Sequence, residues 1–228
     1  MKGESIIRQF DKNGYYILDQ FLKEDQVTML RNDLDNILEK NKHLRGYWAD
    51  NVNSDNRIYG LNRIDNKFIE IFNTEILNTF LTKYLGIKID AVFSFVMGNR
   101  IISKEGNKGS GGGWHRDTFI KKQLKFILYL SDVKNSNGPF TYVQGSHKIR
   151  KKIIDFVKRP RRNMRRYQSY SSNQKIELTG KSGSLIIVDT SGVHRGKPIE
   201  EGSRYALTLY INDKDFSPSL KKRINDKK

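Results

Sequence analysis

The chain contains no cysteine and only four histidines among its 228 residues. The absence of cysteine excludes a disulfide scaffold, a thiolate zinc site, an iron–sulfur cluster and a cysteine nucleophile. Any metal bound by the protein must therefore use histidine, aspartate or glutamate side chains.

Long hydrophobic runs are also missing. No apolar segment approaches the roughly 20 residues of a membrane-spanning helix, and the N-terminus, MKGESIIRQF, has no apolar signal core. We therefore expect a cytoplasmic protein with no integral membrane segment. The length favours a single domain over residues 1–228.

Acidic residues are too few to balance the basic ones. The 42 Lys and Arg residues exceed the 25 Asp and Glu residues, and the formal net charge is +17. Ten of the basic residues, against one acid, lie in residues 148–166, which alone carry +9. Such a local cluster indicates an anionic partner, or a solvated surface with no partner.

The first part of the chain, residues 1–86, reads as mainly helical. Apolar residues recur at three and four positions over 24–40, and acids begin this segment, as is typical of an amphipathic helix. Two further helical segments, 68–72 and 76–85, are followed by Gly86, a helix-stop residue. A short strand is expected at 15–18.

From residue 87 to 212 the pattern changes to short β-branched and aromatic runs bounded by turn residues. These runs are IKIDAVFSFVMGNRII, LKFILYLSDV, FTYVQGS, GSLIIVD and RYALTLYI. Because no long helices separate them, antiparallel pairing is expected. The sequence thus predicts a mostly β fold with flanking helices (α+β), in which N-terminal helices precede a β-sandwich or jelly roll.

The basic cluster lies in an insertion, residues 148–174, between two of these strands. Ile149, Ile153, Ile154 and Val157 are spaced to form the inner face of a short helix that ends before Pro160. Residues 161–174 are expected to be an exposed loop, either a mobile flap that binds anions or a solvated insertion. Residues 213–228 form a basic C-terminal tail.

Two histidines follow glycine-containing turns. His115 and Asp117 are separated by one residue, so on an extended strand their side chains lie on the same face. His194, from a distant strand, is the natural third ligand. Two imidazoles and one carboxylate form the facial arrangement that leaves coordination positions open on ferrous iron.

Several motifs in order resemble the phytanoyl-CoA dioxygenase family of Fe(II)- and 2-oxoglutarate-dependent oxygenases. They are QFDKNGYYILDQFLKEDQVTMLRNDL, WHRD, LYLSDVKNSNGPFTYVQGSHK, GSLIIVDTSGVHRG and SRYALTLYI, and together they span nearly the whole chain. The resemblance implies a double-stranded β-helix, the cupin-like jelly roll. It also implies that His115, Asp117 and His194 are the catalytic iron ligands.

The resemblance further implies cofactor contacts. Arg204 matches the residue that pairs with the distal carboxylate of 2-oxoglutarate, and Lys104 resembles a position near the co-substrate. Thr208, four residues after Arg204, shares its face of a regular strand. Gly196 stands where relatives place a hydroxyl-bearing residue.

The other two histidines are not expected to bind metal. His147 belongs to a turn signature of the family and is expected to orient a loop, whereas His43 is expected to be solvated near a helix end.

The implied activity is a hydroxylase that consumes 2-oxoglutarate and O2 at Fe(II) and releases succinate and CO2. Halogenating relatives lack the carboxylate ligand, whereas this chain retains Asp117, so we predict against halogenation. The substrate is predicted to be small or carrier-linked and anionic, such as a CoA ester, a nucleotide- or lipid-linked sugar or an acidic glycan. Candidate substrate residues are Arg100, Trp114, Lys121, Lys122, Arg161 and Arg162.

Two alternatives concern the basic segment. It is compatible with peripheral contact with an anionic membrane surface. It is also compatible with a basic nucleic-acid-binding protein on a jelly-roll scaffold, but the sequence argues against nucleic acid because no motif of that kind is present and aromatics are not interleaved with the arginines.

Overall fold

The computed structural model describes residues 2–86, 93–110, 113–119, 121–158, 170–212 and 224. Its helices are α1 Lys2–Asn13, α2 Glu24–Lys40, α3 Leu61–Ile64, α4 Lys67–Glu70, α5 Glu75–Leu85 and α6 Ile149–Lys158. Its strands are β1 Tyr15–Leu18, β2 Tyr47–Ala49, β3 Asp55–Tyr59, β4 Phe93–Ile102, β5 Leu124–Tyr129, β6 Phe140–Val143, β7 Lys175–Leu178, β8 Leu185–Asp189, β9 His194–Gly196 and β10 Ser203–Asn212.

Two antiparallel sheets form the predicted jelly roll. The larger sheet has seven strands in the order β1-β8-β5-β10-β4-β3-β2, and the smaller has the order β7-β6-β9. Consecutive residues of a strand face opposite sides of its sheet. On β5, Phe126 and Leu128 accordingly pack into the cluster that includes the helices, whereas Ile127 and Tyr129 face the space between the sheets.

The helices of the N-terminal part cover the outer face of the larger sheet. Phe10 of α1, Leu34 of α2 and Phe80 of α5 are buried in one cluster with Leu207 of β10. The helices predicted at 24–40, 68–72 and 76–85 are present, and Gly86 ends α5 with a φ of 71°. β2 and β3 also lie in this part: β3 pairs with β4, and β2 pairs with β3 at the edge of the larger sheet.

The insertion after β6 differs from the prediction. The helix α6 is present and ends before Pro160, but its apolar side chains are exposed, so the predicted inner face was wrong. The buried side chains are Lys152 and Asp155, because both find polar partners beneath the helix. These polar and ionic contacts therefore turn the Lys152 and Asp155 side of α6 toward the protein, although the apolar side of the helix was expected there.

The rest of that insertion is only partly described. Residues 159–169, which include Arg161 and Arg162, lie outside the described residues, as does most of the C-terminal tail. Tyr170 is buried and β7 begins at Lys175, so the loop predicted over 161–174 is not exposed at Tyr170. Within the described ranges, no helix is long and apolar enough to cross a membrane.

Candidate metal centre

Three side chains with metal-binding atoms converge between the two sheets. His194 is the first residue of β9, and His115 forms an isolated bridge with it in which each backbone N–H donates to the other's carbonyl at 2.9 Å. The backbone N–H of Asp117 donates to the carbonyl of Thr190 at 3.0 Å. The segment that carries His115 and Asp117 is thus fixed beside β9, and both side chains reach the cavity.

The geometry of this group suits one metal ion. One potential ligand atom from each of His115, Asp117 and His194 lies within 4.8 Å of the other two. Asp117 Oδ1 is 3.5 Å from His115 Nε2 and 3.8 Å from His194 Nε2. In the part of the chain that the structure describes, no other group of three His, Cys, Asp or Glu side chains is close enough together to hold a metal ion.

Backbone carbonyls orient both imidazoles. His115 Nδ1 lies 2.8 Å from the carbonyl oxygen of Gly113, and His194 Nδ1 lies 2.9 Å from that of Gly192. A proton on each Nδ1 satisfies these hydrogen bonds and leaves Nε2 with its lone pair. Metal-binding histidines use their second ring nitrogen in this way.

The electrostatics keep the group in a ligating state. Burial lowers the pKa of His194 to about 3, so its imidazole is neutral at ordinary pH. Burial alone would raise the pKa of Asp117, but the charge of Lys125 and its hydrogen bond to the carboxylate outweigh burial and hold that pKa well below its usual value. Lys125 Nζ lies 2.5 Å from Asp117 Oδ2, so the ammonium binds this oxygen and leaves Oδ1 to face the two histidines.

Arg204 lies on β10 at the other end of the same cavity. It is only 6% exposed, and it donates from Nη1 to the carbonyl of Gly138 and from Nη2 to Ser110 Oγ at 3.3 Å. Within the described residues it has no carboxylate partner, and its Nε has no hydrogen-bond acceptor. A buried guanidinium in this state fits an incoming carboxylate, so the cavity suits 2-oxoglutarate.

Ser110 supplies the hydroxyl that Gly196 lacks. A Cβ placed on Gly196 would lie 2.6 Å from Ser110 Cβ, so a side chain at 196 and Ser110 would occupy the same space. The Ser110 hydroxyl donates to Asp55 Oδ2 at 3.2 Å and accepts from Arg204. The departure from the family pattern at Gly196 is therefore accompanied by a hydroxyl from a neighbouring loop.

The cavity that joins these groups has a volume of about 250 Å³. His115, Asp117 and His194 line it, and Arg204 and Thr208 line it from β10. The alternation of β10 predicted that the last two share a face, and both side chains are nearly fully buried.

The remaining sequence-predicted residues lie away from the described cavity lining. Arg100 points to the outer face of the sheet and pairs with Asp35 and Glu39 of α2. Lys122 contacts α5 through the carbonyl and ring of Tyr84.

Three others also lie outside the lining. Lys104 is exposed and donates to the carbonyl of Val52 at 3.4 Å, and Lys121 is exposed. Trp114 packs in a separate buried cluster with Val143 and Val193. His147 Nε2 lies 2.9 Å from the carbonyl oxygen of Asp11, and His43 is exposed.

Sequence reasoning missed two residues of the site. Lys125 is a lone charge in the apolar run LKFILYL, and a charge inside a buried strand is a signal for a paired, site-facing side chain. Arg57 also lines the cavity and is paired with Asp55, but its strand β3 lies in the part that was read as helical.

Solved structures share this fold. The epimerase SnoN in complex with Fe3+, α-ketoglutarate and nogalamycin RO is 13% identical, with a TM-score of 0.69 over 93% of this chain and 84% of SnoN. HygX from Streptomyces hygroscopicus, with nickel and 2-oxoglutarate bound, is 16% identical, with a TM-score of 0.67 over 93% and 88% of the two chains. AviO1 from Streptomyces viridochromogenes Tue57 is 17% identical, with a TM-score of 0.67 over 94% and 96%.

Sequence comparison identifies the family. No curated protein matches the chain. The family model for phytanoyl-CoA dioxygenase matches residues 10–204, which is most of the sequence and confirms the resemblance drawn from its motifs. The metal group, the buried arginine and the jelly roll agree with this match, and we conclude that the chain belongs to the phytanoyl-CoA dioxygenase family.

Proposed function

We propose that the protein is a non-haem Fe(II)- and 2-oxoglutarate-dependent dioxygenase that hydroxylates an aliphatic C–H bond. The observation that carries this proposal is the pairing, in one cavity, of the His115, Asp117 and His194 group with a buried arginine that contacts no carboxylate among the described residues. A facial set of two imidazoles and one carboxylate suits Fe(II) and leaves positions open for a chelating ligand and O2.

In this function, Nε2 of His115, Nε2 of His194 and Asp117 Oδ1 hold the metal. Bound Fe(II), with 2-oxoglutarate and O2, supplies the oxidising chemistry and yields succinate and CO2. The chain itself keeps the His194 imidazole neutral and the Asp117 carboxylate ionised. It also orients the co-substrate and excludes water from the buried end of the cavity.

Arg204 binds the distal carboxylate of 2-oxoglutarate. Its planar guanidinium offers a bidentate pair of donors, and burial strengthens the ionic hydrogen bonds. The Ser110 hydroxyl, already in contact with Arg204, orients the guanidinium from its other side.

Lys125 acts as a positioning residue. Its ammonium binds Asp117 Oδ2 and lies 4.3 Å from the ring centroid of Tyr210. With Oδ2 engaged, Asp117 would offer its other oxygen, Oδ1, to the metal. Retention of this carboxylate supports hydroxylation and argues against a halide at the same position.

The lining supports an anionic ligand. Three of the described lining residues are cationic, namely Arg57, Lys125 and Arg204, whereas Asp117 is the one carboxylate among them. Arg57 and Lys125 are paired with Asp55 and Asp117, so Arg204 is the lining cation that remains for the carboxylate of 2-oxoglutarate. We propose a small or carrier-linked substrate with an acidic group because of the excess of basic residues over 148–166, and Thr208 as a further hydroxyl donor to the co-substrate.

The test compares His115→Ala with His43→Ala, since His43 is exposed and lies outside the site. Calorimetric titration of 2-oxoglutarate in the presence of Mn(II) should show binding to the wild type and to His43→Ala, with none to His115→Ala. With Fe(II), 2-oxoglutarate and O2, the wild type and His43→Ala should form succinate, and His115→Ala should form none. Metal-dependent binding that survives in His115→Ala would refute the metal assignment.

A further inference from the structure

The helix α6 presents hydrophobic side chains to solvent. Ile149, Ile153 and Val157 are 65%, 56% and 73% exposed, and they lie on one side of the helix at intervals of four residues. Five of the nine large hydrophobic residues that are exposed in the described chain belong to this one helix. Concentrated exposed apolar side chains of this kind mark an interaction surface.

The outward orientation of that face is fixed by buried polar contacts. Asp155, on the inner side of α6, pairs with Arg116 and accepts from the Tyr170 hydroxyl at 2.6 Å. Lys152, one turn earlier, donates to Ser191 Oγ at 2.8 Å. Turning the apolar face inward would break these contacts and expose buried charges, so the exposed face is a stable feature of the fold.

Positive charge accompanies the apolar face. Lys148, just before the helix, is exposed and lies 3.8 Å from the exposed carboxylate of Asp11, a surface pair that contributes little and leaves the ammonium accessible. Arg150 is exposed in the first turn, and Lys151 and Lys158 belong to the same segment, in which Asp155 is the one acid. A nucleic-acid surface would use the charge but not the exposed isoleucines, and an apolar protein groove would not use the charge. An anionic lipid surface matches both, because a helix at the membrane interface buries apolar residues while lysines and arginines bind lipid phosphates.

We propose that α6 docks the protein on an anionic lipid surface, with Ile149, Ile153 and Val157 inserted at the headgroup boundary. Lys148 and Arg150 pair with lipid phosphates beside them. These five residues form the docking face.

The inner side of the helix that carries the docking face contacts the chain segment of the metal group. Arg116, which binds Asp155 beneath α6, stands between the metal-group residues His115 and Asp117 in the chain. Docking through α6 therefore holds the metal segment close to the lipid surface. This part of the inference rests on the proposed function: it assigns the oxygenase an amphiphilic substrate with an anionic headgroup, taken from the leaflet.

The experiment measures flotation of the full chain with phosphatidylcholine vesicles, with or without phosphatidylglycerol. The wild type should bind the phosphatidylglycerol vesicles at least about 10-fold more strongly than phosphatidylcholine alone, because several basic residues meet the charged surface. The variant Ile149→Ser/Ile153→Ser/Val157→Ser should bind about 10-fold or more weakly, since it retains the charge but loses the inserted side chains.

A matched control removes exposed hydrophobic residues elsewhere. Met29→Ser/Val52→Ser/Ile76→Ser changes three such side chains outside α6 and should bind like the wild type. A single variant, Ile153→Glu, provides an independent measurement in case the triple variant misfolds, and it should also lose binding because it adds an anion to the docking face. Circular dichroism establishes that each variant is folded.

Three outcomes would overturn the proposal. The first is failure of the wild type to bind phosphatidylglycerol vesicles. The second is unchanged binding by the folded triple variant and by Ile153→Glu, which would assign the effect to charge alone. The third is a wild-type dimer, measured by light scattering without lipid, that the triple variant converts to a monomer, which would make the face an interface between copies. Vesicle binding needs neither metal nor 2-oxoglutarate, so its failure is separate from failure of the oxygenase assignment.

Discussion

Two buried arginines of this protein have different surroundings. Arg116 binds the carboxylate of Asp155 and two backbone carbonyls, those of Ser146 and Ser191, at 2.8 and 2.6 Å. Arg204 has a carbonyl and a hydroxyl as partners but no carboxylate within the described chain. A buried cation is normally paired, so the first arginine is complete within the fold, whereas the second is prepared for a ligand. The difference distinguishes an arginine that is paired with a carboxylate within the fold from one to which the proposed function assigns the carboxylate of a ligand.

The largest effect should follow from breaking the pair of Arg116. Asp155→Ala removes the carboxylate that balances the charge of the buried Arg116 guanidinium and accepts from the Tyr170 hydroxyl, and the free energy of unfolding should fall by about 3–5 kcal/mol. Chemical denaturation measures this, with Asp19→Ala, at an exposed position, as the control.

The double variant Arg116→Met/Asp155→Leu should recover most of that loss, because it removes both charges together. A loss below about 1 kcal/mol in Asp155→Ala would mean that Arg116 does not depend on this carboxylate.

The second effect concerns Arg204, whose replacement should weaken ligand binding and not the stability of the fold. Arg204→Ala should weaken 2-oxoglutarate binding by about 30-fold, or about 2 kcal/mol, because a charge-assisted bidentate pair is lost. Its thermal stability without 2-oxoglutarate should not fall, since burial alone disfavours the charged side chain.

Calorimetry with Mn(II) and a thermal melt test the two parts of this prediction, and Arg204→Lys should be intermediate in affinity. Unchanged affinity in Arg204→Ala would place the carboxylate anchor elsewhere.

The smallest effect should come from the hydroxyl between Arg204 and Asp55. Ser110→Ala removes one hydrogen bond to the guanidinium, and 2-oxoglutarate should bind about 5-fold more weakly, or about 1 kcal/mol. Ser5→Ala, on the exposed side of α1, is the control for the same titration. If Ser110→Ala bound as tightly as wild type, Arg204 would be oriented by the carbonyl of Gly138 alone.

Much of the metal group could be predicted from short-range geometry. The spacing of His115 and Asp117 places both on one face of an extended segment, and alternation along β10 places Arg204 and Thr208 on one face of the sheet. These inferences need only the period of a strand. The strands of the jelly roll were likewise indicated by their β-branched runs and turn residues.

The orientation of elements relative to one another could not be predicted in this way. The pattern of α6 indicates an amphipathic helix but not that Arg116, from a distant segment, would draw its charged side inward. Arg100 and Lys122 were candidates because of their charge. In the structure, however, the Arg100 side chain faces α2 and pairs with Asp35, and Lys122 donates to the carbonyl of Tyr84 in α5. Lys125 was missed because its partner Asp117 becomes a neighbour only in the folded sheet.

The reciprocal backbone bridge between His115 and His194 has a consequence for biosynthesis. It joins two segments that are far apart in the chain, and such long-range pairing forms late because loop closure must come first. A chain still emerging from the ribosome holds only His115 and Asp117, which make an incomplete chelate. On the proposed function, the three side chains could hold one metal ion only after β9 has been synthesised and has paired with the His115 segment. The cavity is complete only when β10, which carries Arg204 and Thr208, follows.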